Sequence, residues 1–244
     1  MDKVLFIIPV KINSFQFNPV FKKITGFNFL HYKINACLKS KLGPVIVSTN
    51  STKVAKLALK YGALPLLRNK KYNSSKATMM SIILHTLREL QNKITIPKFI
   101  AVLIVNSFFL KPETIIKAYK IIKNKKKINT VHAYSKLDGH PFHAVIGKSK
   151  LKYNSIKINK SSMLDFERSR DWPEINYCSC ALRLSKFSYF KKYLKNKNIN
   201  FKKFIIDTNS SYGVKCTRLE TFEIKNENDL KLAKFLFKKK IWSY

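Results

Sequence analysis

The chain has 244 residues, 45% hydrophobic and 13% aromatic, enough for one large domain with a substantial core and too much for a disordered chain. Only six glycines and eight prolines exclude collagen-like or low-complexity material. Forty-eight basic against 13 acidic residues leave a net charge of +35, a surface that attracts anions whatever their identity.

Residues 3–10 form a nearly continuous apolar run, the pattern of a parallel strand covered on both faces. After a loop to about Gly26, apolar Phe29, Leu30, Ile34, Cys37 and Leu38 recur at helical spacing over 29–41. A strand is expected at 45–49, a helix over 51–61 capped by Ser51 or Thr52, and a short strand at 65–67. The spacing predicts a further helix over about 77–91, a strand at 99–105, a helix from Pro112 to about Lys123 and a strand at 130–134. From 139 to 161 the pattern breaks into short alternating pieces, which suit a β insertion forming a dimerisation or substrate lobe between two stretches, 1–138 and 162–244, of one domain. Regular alternation resumes with a strand at 180–184, a helix at 186–195, strands at 204–206 and 213–216, and a last helix at 228–239. Strands alternating with helices predict an α/β doubly wound domain with a mostly parallel sheet.

Cys37, Cys178, Cys180 and Cys216 lack metal-ligand spacing and read as buried reduced thiols of a cytoplasmic protein. No run of 18 apolar residues suggests a membrane span, and the first apolar run is too short for a secretory leader. Of the basic residues only Arg68, Arg88, Arg168, Arg170, Arg183 and Arg218 are arginine, the residue suited to bidentate phosphate and base contacts. The lysines are scattered, as the codons of an AT-rich genome would give, with short knots at 125–127 and 238–240. Codon usage competes with a dedicated polyanion surface as their explanation, and nucleic acid is expected only as a nonspecific partner.

In doubly wound sheets ligands sit where loops converge at the carboxyl ends of the strands, here 11–23, 48–51, 68–78, 106–111 and the loop before Asn176. Lys11 and Ser14 stand out, because a lysine directly after a buried strand points into that crevice.

Five fragments carry a resemblance over almost the whole chain. Ile8-Pro-Val-Lys11-Ile-Asn-Ser14 looks like I-P-A-R-G-G-S, and Gly26-Phe-Asn-Phe29-Leu-His-Tyr32 like G-K-P-L-I-x-Y. Val45-Ile-Val-Ser-Thr-Asn-Ser51 resembles V-V-V-S-T-D-S, and Tyr61-Gly-Ala63 with Leu66-Leu-Arg68 resembles Y-G-A and F-L-R-P. Glu223-Ile-Lys-Asn-Glu-Asn-Asp229-Leu230 resembles D-I-D-T-P-E-D-L. In this order the fragments resemble the cytidylyltransferases that activate acidic sugars, the acylneuraminate family and its relatives for other nonulosonic acids and for Kdo. The resemblance implies a Rossmann-like nucleotidyltransferase fold, CTP and an acidic sugar as substrates, a CMP-sugar and pyrophosphate as products, Mg2+ as cofactor, a role in bacterial surface-glycan synthesis and a homodimer through 139–161.

By the same resemblance Lys11 is a candidate catalytic cation, and Lys11, Ser14, Arg68 and Thr78 the candidate nucleotide site; Lys22 is a second candidate catalytic cation, as a neighbour that would compensate for the family's lost lysine. Phe166-Glu-Arg168-Ser-Arg170-Asp-Trp-Pro173 looks like the family's R-R-Q-D-L-P, so Arg168 and Arg170 are candidates for the sugar carboxylate. His143 lies where the family has an acceptor-side lysine. Glu223 is the candidate metal ligand, while Lys225 replaces the second carboxylate of the family's D-I-D and Phe15 replaces a family lysine. A member without catalytic activity, binding a nucleotide or a partner protein, is the alternative. Asp229 has a second reading, as negative charge in the first turn of the last helix.

Overall fold

The computed structural model describes residues 3–12, 19–74, 77–107, 109–137, 139–144, 157–194, 210–239 and 241. Strand β1 (Val4–Val10) leads to a hairpin of β2 (Lys23–Ile24) and β3 (Phe27–Asn28), then helix α1 (Phe29–Lys39), β4 (Val45–Thr49), α2 (Thr52–Lys60) and β5 (Leu64–Leu67). There follow α3 (Met79–Gln91), β6 (Phe99–Val102), α4 (Pro112–Asn124), β7 (Thr130–Lys136) and β8 (Asn176–Lys186). The chain closes with α5 (Phe187–Leu194), β9 (Ser211–Lys215), the one-turn α6 (Arg218–Thr221) and α7 (Glu227–Lys238).

Seven strands form one sheet in the order β5-β4-β1-β6-β8-β7-β9, parallel except for β8, which runs against both of its neighbours. The expected α/β doubly wound architecture is thus observed. β1 lies between β4 and β6, where the direction of winding reverses, and its residues Val4 to Ile8 are fully buried because helices cover both faces. On one face α1, α2 and α4 pack Leu30, Ile34, Val54, Ala58, Ile115 and Ala118 against Phe6, Ile8, Val47 and Ala101. On the other, α3 and α5 pack Ile83, Leu87, Tyr189 and Phe190 against Leu5, Ile7, Ile100 and Val102. Each of the larger of these side chains contributes about 1.5–3 kcal/mol by leaving water. A third cluster, with Ile24, Phe29, Tyr32, Phe109, Ile224 and Leu230, fastens α7 to the hairpin and α1.

Local chemistry explains the less regular pieces. The hairpin turn places Thr25 at φ 47° and Gly26 at φ 88°; Gly26 takes this at no steric cost, and Thr25 is held by a 2.6 Å hydrogen bond between its hydroxyl and that of Tyr32. Pro65 is tolerated because β5 pairs only with β4 and its other edge needs no donor. β8 carries a large bulge: Arg183 pairs with His132, but the adjacent Ala133 pairs with Ser179, so Cys180, Ala181 and Leu182 have no counterpart on β7. The Ser179 hydroxyl accepts from Ala181 N at 3.0 Å and stabilises the bulge.

Three expectations change. The strand expected at 180–184 spans Asn176–Lys186, and the one expected at 99–105 ends at Val102. Cys37 and Cys216 are buried, but Cys178 and Cys180 are exposed, because the bulged half of β8 leaves them uncovered. The strand expected at 204–206 lies outside the described residues, as does most of the 139–161 insertion. Its described ends hold a 3-10 turn at Pro141–His143 and an antiparallel bridge between Ile158 and Ser161. Among the described residues no helix is long and apolar enough to cross a membrane.

Candidate functional site

The loops after β1, β4, β5 and β6 meet at the carboxyl edge of the sheet, around the point where β1 separates the two windings. Asn50, just after β4, holds the start of the β1 loop by two bonds: its Oδ1 accepts from Ile12 N at 2.9 Å and its Nδ2 donates to Ile12 O at 3.1 Å. Arg68, just after β5, is 6% exposed. It donates from Nη1 to Ser48 O (2.8 Å), from Nη2 to Val10 O (3.0 Å) and from Nε to Asn73 Oδ1 (3.2 Å). Burial pulls its pKa down to about 10, so it keeps its charge at neutral pH. Arg68 therefore clamps three strands' ends together and brings a fixed positive charge under the crevice. Lys11 reaches across the same loop, donating from Nζ to Ser74 O at 3.1 Å while remaining exposed. The structure thus gathers Lys11 and Arg68 on the 69–74 loop. Thr78 stands at the N-terminus of α3, its hydroxyl accepting from Ser81 N at 3.2 Å as a helix cap. Ser14 lies outside the described residues.

Lys22 is placed elsewhere, in an ion pair with Glu227 of α7 that joins the hairpin to the last helix. Glu223 lies between two neighbours: Lys225 Nζ is 3.4 Å from its Oε2, and the Tyr177 hydroxyl donates to its Oε1 at 3.4 Å. Asp229 accepts from Lys225 N (2.8 Å) and Asn226 N (3.2 Å), which makes it part of the α7 capping box. Magnesium takes oxygen donors, preferably carboxylates. Among the described residues no group of three or more histidines, cysteines or acids converges, and the ammonium of Lys225 neutralises Glu223.

One acceptor-side candidate, His143, belongs to a small aromatic cluster. His143 meets the Trp172 ring edge-on at 4.8 Å, and His140 and Phe142 pack on the same indole. His140 donates from Nε2 to Pro173 O at 3.0 Å, the tautomer required by Phe142 N donating to Nδ1 at 3.2 Å. Arg168 is exposed at the start of the 3-10 turn Ser169–Asp171, and Arg170 makes an exposed 3.9 Å pair with Asp171 that adds little stability.

Tertiary structure adds residues that no sequence pattern marks. Lys33, on the inner face of α1, is wholly buried and donates from Nζ to Ser107 O in the loop after β6. Burial pulls its pKa down to about 8 against the opposing pull of Cys37 and Glu220. Buried Glu220 fixes that loop's end by accepting from Lys111 N at 3.3 Å and from the Thr114 hydroxyl, and it also accepts from Thr217 N and Oγ1, each at 3.1 Å. Asn106 O accepts from Ile224 N at 3.0 Å, so the β6 loop and the Glu223 segment are joined directly.

A mostly parallel α/β sheet with basic side chains converging at the carboxyl edge beside its winding switch defines a nucleotide-binding class of fold. Within that class the chain belongs to the cytidylyltransferase family, whose family model matches residues 5–240. Solved structures share the fold. One is a CMP-2-keto-3-deoxy-manno-octonic acid synthetase complexed with CTP, 10% identical, covering 98% of this chain and 99% of that one with a TM-score of 0.68. Another is the 4-diphosphocytidyl-2C-methyl-D-erythritol synthase of Anaerococcus prevotii, 11% identical over 97% and 96% with a TM-score of 0.63. A cytidylyltransferase of Leptospira borgpetersenii is 11% identical over 98% and 88%, with a TM-score of 0.62. No curated protein matches the sequence.

Proposed function

We propose that this chain transfers a cytidylyl group from CTP to a hydroxyl of an acidic sugar, releasing pyrophosphate, and that it does so in the cytoplasm on the way to a surface glycan. The observation that carries the reading is the family match over residues 5–240, together with the convergence of Lys11 and Arg68 at the crevice. In this reading the acceptor oxygen attacks the α-phosphorus in line and pyrophosphate leaves from the opposite side. Lys11 offsets charge on the phosphates. Arg68 acts from beneath, through the loop it holds and the field it contributes. His143, Arg168 and Arg170 are proposed to face the acceptor, and the 139–161 segment to join two copies into a homodimer.

A second reading, nucleotide binding without turnover, is favoured by one observation, the pairing of Glu223 with Lys225. The deciding experiment is a thermal-shift comparison of CTP, UTP, GTP and ATP, each with and without magnesium, followed by pyrophosphate release with a panel of sugar acids. A shift selective for CTP with turnover supports transfer, and a CTP shift without turnover supports the binding reading. Equal shifts with all four nucleotides overturn both, since a chain of charge +35 attracts any polyphosphate.

A further inference from the structure

Helix α7 carries apolar side chains on two faces, and the fold covers only one of them. Leu230 and Ala233 are buried, with Leu236 and Phe237 packed beside them on the cluster that fastens the helix to the hairpin and α1. The opposite face presents Leu232 and Phe235, 47% and 51% exposed. At helical spacing the neighbours of Phe235 on that face are Lys231 and Leu232 one turn before it and Lys238 and Lys239 one turn after. Ile241, also exposed, is held just past the helix end by its N–H donating to Leu236 O at 3.1 Å.

The charge on this face has one sign. Lys231, Lys234, Lys238 and Lys239 are all exposed, and among the described residues none of them makes an ion pair. The acids of the helix are engaged at its other end, Glu227 with Lys22 and Asp229 in the capping box. Apolar and basic side chains interleaved on one exposed helix face match an anionic lipid surface: the apolar groups enter the headgroup boundary, and the lysine stems lie along them while the ammonium groups stay among the phosphates. A second copy of the chain fits poorly, because a two-fold contact through this face sets the four lysines of one copy against those of the other. An extended peptide or a single-stranded nucleic acid needs a groove to follow, and the outer side of a surface helix is convex.

We propose that the outer face of α7 docks this protein on an anionic lipid surface, with Leu232 and Phe235 in the headgroup boundary and Lys231, Lys234, Lys238 and Lys239 facing the lipid phosphates. The docking is peripheral and reversible, since salt screens the lysines while the apolar contact persists. It is independent of the reaction proposed for the crevice.

The full chain is floated with vesicles of phosphatidylcholine alone and with vesicles in which part of it is replaced by phosphatidylglycerol. A chain of charge +35 is drawn to any anionic surface, so the deciding variant leaves the charge untouched. Leu232→Ser/Phe235→Ser should weaken binding to the anionic vesicles on the order of tenfold through the apolar area it removes. Its thermal midpoint should match that of the parent, because both side chains are exposed. Lys231→Glu/Lys238→Glu should weaken binding about tenfold more than Lys126→Glu/Lys127→Glu, which changes the net charge equally, since a lysine brought to an anionic surface contributes about fivefold in affinity. This second comparison decides the matter if the serine variant fails to fold. Unchanged binding by the serine variant means that general charge alone holds the vesicles, and overturns the proposal. Equal binding to the neutral vesicles overturns it too, as does no binding to either. If the serine variant loses polynucleotide binding by the same factor, the face belongs to nucleic acid and the lipid assignment falls. The assay contains no CTP, so its outcome and that of the nucleotide test are read separately.

Discussion

The Arg68 guanidinium donates to the carbonyl of Val10 at 3.0 Å, joining the loop after β5 to the end of β1 two strands away. Because Ser48 O on the intervening β4 accepts from the same group, a single side chain satisfies two buried backbone acceptors at the carboxyl edge. Arg68→Ala leaves both without their donor. Hydrogen bonds from a charged donor contribute about 1.5–3 kcal/mol each, so the variant should lose about 3 kcal/mol and melt roughly 6–12 °C lower. Arg68→Lys, lacking the fork, should recover less than half of this. Differential scanning calorimetry of the three proteins without nucleotide checks the structural part separately from any effect on CTP affinity.

Lys33 predicts a pH dependence. Its folded-state pKa of about 8 lies below the ordinary lysine value of 10.5, because burial disfavours the ammonium. Between these pH values the unfolded chain binds the proton that the folded chain has released, so this group makes stability rise with pH across that window. Below pH 8 both states are protonated and its contribution is constant. Lys33→Met removes the rise, and at pH 7 it should lie within about 1 kcal/mol of the parent, since an apolar side chain of similar volume needs no desolvated charge. Urea denaturation of both proteins at pH 7 and at about pH 10 measures the difference.

His132 acts in the acid range. Burial first and the Arg183 charge second lower its pKa to about 4 from 6.5. As pH falls from 6.5 to 4 the unfolded chain takes up a proton that the fold excludes, so stability falls with pH over this window. His132→Asn should flatten the fall relative to the parent. His31 and His85, also lowered by burial, leave a residual slope in both proteins. Thermal midpoints at pH 7 and about pH 4.5 provide the comparison.

Glu223 and Lys225, 3.4 Å apart, predict a gain rather than a loss. Lys225→Asp replaces the ammonium with a second oxygen donor beside Glu223, which raises the affinity of the pair for a divalent cation. The expected result is Mn2+ binding by electron paramagnetic resonance in the variant and not in the parent. Pyrophosphate release with CTP should rise on the order of a hundredfold to a thousandfold in the same variant, in keeping with the usual size of one preorganised charge.

Much of the fold was legible in the chain because helices cover both faces of its sheet. The unbroken apolar run of β1 could only be a buried strand, and the 3.6-residue spacing of Leu30, Ile34 and Cys37 marked the inner face of α1. Asp229 reads correctly as a first-turn acid, since a capping box is local. The two-residue strands of the hairpin were too short to give a period, and the first half of β8 was missed because Asn176 and Tyr177 carry no apolar alternation across a bulge.

Sequence by itself thus determined the order of elements, the crevice edge and the family likeness, all of which follow from local periodicity and short motifs. Tertiary structure alone decided what the charged groups do. Arg68 marks the crevice in sequence, but only the meeting of β1, β4 and β5 commits its guanidinium to backbone carbonyls. Lys33 is one lysine among many until α1 packs on the sheet and removes it from water. Cys178 and Cys180 are left uncovered because β8 parts from β6, a pairing between segments some eighty residues apart that no local pattern encodes.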